Sequence, residues 1–115
     1  MSRTGAFADI QTETPCPGVR RRTVHGERMT VAEYEFEPGA TFPLHRHDQE
    51  QVTLVESGEV TLTADGTTQT LRAGWWSVLP GGVEHGLTAG AAGARVVAIV
   101  SPRRVDGDLR LSEPR

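Results

Sequence analysis

The chain has 115 residues, room for one core and no second domain. A formal net charge of −3, with all 12 basic residues arginine, argues against nucleic acid or an anionic membrane as partner. No apolar run approaches the ~20 residues of a membrane span. The first residues lack a signal-peptide core, and the single Cys16 leaves no internal disulfide, so a cytoplasmic location is expected.

Residues 1–17 carry mixed polarity and two prolines, Pro15 and Pro17, and read as an N-terminal arm. From Gly18 onward, short alternating runs are separated by turn residues, the pattern of an all-β domain. Thr30 to Phe36 alternates strictly and stops at Pro38-Gly39; Gln51 to Val55 and Glu59 to Thr63 flank Gly58. Asp65-Gly66 marks a hairpin from which Thr67 to Leu71 returns. Trp75 to Leu79 ends at Pro80-Gly81-Gly82, and Ala94 to Val100 is the last strong run, before Pro102. No segment of helical length has a 3.6-residue apolar period. Some eight strands in one closed antiparallel barrel fit this pattern. The expected organisation is an arm over 1–17, one domain over 18–106 and a tail over 107–115. Phe36, Phe42, Leu54, Val60, Leu62, Val78, Val96, Val97 and Ile99 are the expected core, with one of Trp75 and Trp76 packed inside.

Three of the four histidines carry a possible chemistry. On an extended segment His45 and His47 point to one face, and Gln51 keeps their parity. His85 arrives from elsewhere, just after a Pro-Gly-Gly turn. Three imidazoles and an amide oxygen could cage a divalent transition metal and leave positions open for substrate. Each histidine taken singly is more often structural; their joint spacing favours a site. Glu50 is a chemically better ligand than Gln51, but on a regular strand it points to the opposite wall. His25, before Gly26, reads as a turn residue.

The run Gly39-(five residues)-His45-Arg46-His47-(three)-Gln51-(six)-Gly58 resembles the first cupin motif, with Gln51 where many members carry glutamate. Gly74-(five)-Pro80-Gly81-Gly82-(two)-His85 resembles the second. The resemblance to a small single-domain cupin of the RmlC-like superfamily implies a jelly-roll barrel, the cupin double-stranded β-helix, with His45, His47, Gln51 and His85 as metal ligands. It leaves zinc, nickel, iron or manganese open. Cupin-like barrels often pair, so a homodimer is expected.

Gly18 to Arg21 and Ser101 to Asp106 are also arranged similarly to the ring-opening cupins of pectin and alginate breakdown. In those proteins an aspartate after the Pro-x-Arg segment is functionally important, and Asp106 falls on that position. The aromatic residue that normally follows is replaced by Gly107. The expectation is a metal-dependent, non-redox isomerase or lyase: ring opening, tautomerisation or cyclisation of a small anionic sugar acid or keto acid. Asp106 would be the general base and acid, and Arg20, Arg22 or Arg104 could clamp a carboxylate. The alternatives are an iron-dependent dioxygenase, a natural-product tailoring cyclase, or a non-catalytic ligand-binding cupin.

Overall fold

The structure, a computed structural model, describes residues 2–105 and 109–112. Apart from a 3-10 turn at Phe7–Asp9, its regular elements are strands: β1 (Glu13–Cys16), β2 (Val19–His25), β3 (Thr30–Phe36), β4 (Thr41–Arg46), β5 (Glu50–Ala64), β6 (Thr67–Arg72), β7 (Trp76–Leu79), β8 (His85–Ser101) and β9 (Arg110–Leu111). The chain is thus all-β, as its alternating runs imply, and the pairings between strands are antiparallel. Segments read from sequence as arm and tail each add a short strand, β1 on β2 and β9 on β4.

Two long strands shape the molecule. The first half of β5 pairs with the last half of β8, Gln51 opposite Val100, and its second half with the start of β8, Leu62 opposite Leu87. β7 and β3 extend the first region; β6 and β4 extend the second. The register shifts between the halves, around Ser57 to Val60. There Gly58 has φ +71, and a Cβ on it would lie 2.1 Å from the Gly93 carbonyl oxygen, so only glycine fits. This bulge also flips the inward parity of β5, from Gln51, Thr53 and Val55 to Val60 and Leu62.

Inward side chains from both regions form one core, with Val19, Val60, Val96 and Leu71 almost fully enclosed. On β3 the strict alternation buries Thr30, Ala32, Tyr34 and Phe36. Four of the expected core residues belong elsewhere: Leu54 and Val78 face outward, and Val97 and Ile99 are only half-buried. Leu54 has the opposite parity to Gln51 and Val55, so a strand that turns Gln51 inward must turn Leu54 outward. Trp75 and Trp76 are both exposed, at 44% and 66%, so neither is the core residue expected of one of them.

Candidate metal centre

A register shift in β4 between Phe42 and His45 turns both side chains inward, and the turn after the strand buries His47. β5 begins with Gln51 facing the same interior, and β8 begins with His85, directly opposite His45 in register. The Pro80-Gly81-Gly82 turn locks these parts together. Gly82 N–H donates to the His47 carbonyl at 2.8 Å. A Cβ on Gly81 would lie 2.1 Å from the Asp48 carbonyl oxygen, so the turn packs against the loop that carries His47.

All three rings are oriented by the same device. Nδ1 of His45, His47 and His85 donates to the backbone carbonyls of Pro43, Gln49 and Val83, at 2.8, 3.1 and 2.9 Å. A carbonyl only accepts, so these bonds place the ring proton on Nδ1 and leave a lone pair on each Nε2. One ligand atom from each ring lies within 4.8 Å of the others. Gln51 completes the cluster: its Oε1 is 3.0 Å from His47 Nε2, while its amide nitrogen donates to Thr53 at 2.9 Å. Glu50 is exposed and stands outside this cluster.

The cage is rich in acceptors and poor in protons. Burial, then the neighbouring His85, holds the His45 pKa down at about 3. Burial, followed by His47 and Arg104, lowers that of His85. His85 Nε2 is buried without a hydrogen-bond partner. Such an orphaned acceptor beside other lone pairs is what a cation satisfies, and three imidazoles of this kind can hold a metal ion. The chamber beside them has about 20 Å³ of free space, enough for roughly one ion or water.

A larger hollow of about 650 Å³ lies alongside, and Phe42 and Arg104 line both. Of the arginines proposed from sequence, Arg20 is paired with Glu35 at 2.7 Å and Arg22 donates to the Ile10 carbonyl at 3.2 Å. Arg104 lines the cavity, and so does Arg21, which the sequence reading passed over. Its parity was informative, because Val19 and Arg21 share the inward face of β2. Asp106 lies outside the described residues.

Residues 32–100 match the model of the Cupin domain family. Over 67 residues the chain is 37% identical to dimethylsulfoniopropionate lyase DddW of Ruegeria pomeroyi, a stretch that covers 58% of this chain and 44% of that protein. The chain therefore spans less than half the length of that relative. An RmlC-like cupin from Shewanella frigidimarina superposes with a TM-score of 0.84 at 25% identity, covering 92% of this chain and 96% of the other. KdgF from Halomonas sp. gives 0.80 at 27% identity, over 90% and 98%. Oxalate decarboxylase from Bacillus subtilis gives 0.86 at 18% identity over 93% of this chain and 31% of its own, a likeness of fold alone. Among the described residues no helix is long and apolar enough to cross a membrane.

Proposed function

The chain belongs to the cupin family, and from that premise we propose that it is a metal-dependent isomerase or lyase acting without redox chemistry on a small anionic sugar acid or keto acid. The observation that carries this reading is the charge of the cage: three neutral imidazoles and a neutral carboxamide, with Glu50 turned away. A divalent transition metal held by His45, His47, Gln51 and His85 would supply Lewis acidity undiminished by a ligand carboxylate. The Nδ1–carbonyl bonds fix each ring before substrate arrives, so little reorganisation is needed. Thr53 holds the Gln51 amide so that its oxygen, not its nitrogen, faces the rings. Phe42, 4.7 Å from the His45 ring, walls the chamber against bulk water. Asp106 keeps the proton-transfer role proposed from sequence.

The likeness to KdgF and to a lyase supports this direction. Ring opening of unsaturated uronates, tautomerisation and elimination share one demand, a proton moved next to a carbonyl or carboxylate while charge builds on oxygen. The test is to load the purified protein separately with zinc, nickel, manganese or ferrous iron and to offer an unsaturated uronate. Loss of the carbon–carbon double-bond absorbance with no oxygen uptake is expected. Oxygen consumption in step with turnover would overturn the reading in favour of an oxygenase, and inertness toward uronates and keto acids would overturn it outright.

A further inference from the structure

Phe42 and Arg104 stand between the histidine chamber and the larger hollow, so a molecule reaching the cage passes them. Three polar groups meet there. Arg104 Nη1 donates toward the Tyr34 hydroxyl oxygen at 3.4 Å. Arg21, opposite Tyr34 in the β2–β3 register, holds its guanidinium carbon 5.9 Å from the Tyr34 ring centroid. With the Arg104 guanidinium directed at it, the phenol oxygen acts as acceptor, and its own proton remains to be donated.

Both arginines are under-satisfied. Nε of Arg21 and Nε of Arg104 are buried with no hydrogen-bond partner. Buried donors on charged groups are costly to leave unmet. Arg21 has one weak carboxylate partner, Glu13 at 3.4 Å, whose side chain is more than half exposed. Among the described residues no carboxylate pairs with Arg104. Arg104 is also firmly placed: its backbone N–H donates to the buried Thr30 hydroxyl at 2.9 Å, and that hydroxyl is 2.9 Å from His25 Nδ1. A fixed pair of forked cations with a phenol proton between them matches the planar, bidentate geometry of a carboxylate.

We propose that Arg21, Arg104 and the Tyr34 hydroxyl form a carboxylate-binding subsite at the mouth of the histidine chamber, so that the substrate's carboxylate is held there and its reacting carbon faces the cage. This rests on the functional reading above and sharpens it: the acid group goes to the arginines, and the cage meets the adjoining carbonyl or hydroxyl. The hollow is large enough for a monosaccharide acid, lying within the usual 300–1,000 Å³ of small-molecule sites. Glu13 is the group that an incoming carboxylate displaces from Arg21.

The experiment is calorimetric titration of chelator-treated, metal-free protein with galacturonate, and with galactose as the uncharged counterpart. Galacturonate binds and galactose does not. Arg104→Gln and Arg21→Gln each weaken galacturonate by about tenfold or more, and Tyr34→Phe by a smaller factor. Glu13→Gln tightens it several-fold, a gain that misfolding cannot imitate, and thermal melts confirm that each variant is folded. Unchanged affinity in both arginine variants overturns the proposal. So does binding that appears only with metal and vanishes in His47→Ala, which would put the carboxylate at the cage. Binding is read without metal or turnover, so a failed activity assay leaves this result standing.

Discussion

Acidifying the metal-free protein tests whether the histidine cage is as proton-averse as its burial implies. In the unfolded chain His45 titrates near its ordinary value of 6.5, whereas in the fold burial and His85 hold it at about 3. Between these values the unfolded state binds a proton that the folded state refuses, so stability must fall as pH drops. Contributions from this ring are complete above 6.5 and shrink steadily toward 3. At about pH 5, roughly 1.5 units below the unfolded value, His45 alone removes about 2 kcal/mol, at ~1.4 kcal/mol per unit. His85, lowered for the same main reason, acts in the same direction. The assay is urea unfolding at pH 7 and pH 5 in chelator, on the parent chain and on His45→Gln, with ΔG taken from midpoint and slope. The parent loses at least about 2 kcal/mol, and the variant loses less by about that amount. Equal losses in the two proteins, or none in the parent, would refute the account of the cage.

Three other substitutions probe other levels of the argument. Leu71→Ala empties the interior side chain of β6, 1% exposed, and costs about 2–5 kcal/mol in chemical unfolding with no change in metal stoichiometry. Gly81→Ala drives a methyl group into the Asp48 carbonyl; it lowers metal affinity in a zinc titration although residue 81 offers no ligand. Gln51→Glu adds a carboxylate to the cage and tightens zinc, while turnover of an unsaturated uronate falls because the metal's charge is partly neutralised.

Much of this was legible in the chain because strand geometry has a period of two. The strict alternation from Thr30 to Phe36 specified both the strand and its buried face. Parity likewise placed Gln51 with the histidines and Glu50 outside. The same rule, applied to every strand, separates Arg21 from Arg20 and Arg22, and Leu54 from Val55. Apolar character alone misassigned Leu54 and Val78, since an outer sheet face can also be apolar. What no local pattern carries is pairing at a distance: the approach of Gly58 to Gly93, or the meeting of β2, β3 and the segment after β8 at Tyr34. The Gly58–Gly93 and Tyr34–Arg104 contacts each join residues more than thirty positions apart, and the second builds the arginine mouth.

The central claim is that three imidazoles and one carboxamide hold a single divalent ion. Its most direct test is nickel or zinc titration of the chelator-stripped protein, with native mass spectrometry for stoichiometry. One ion per chain is expected, and His45→Ala, His47→Ala and His85→Ala should each weaken binding by more than the roughly 10–100-fold typical of losing a ligand's outer partner. A parent chain that binds no metal, or alanine variants that bind it as the parent does, would contradict the account.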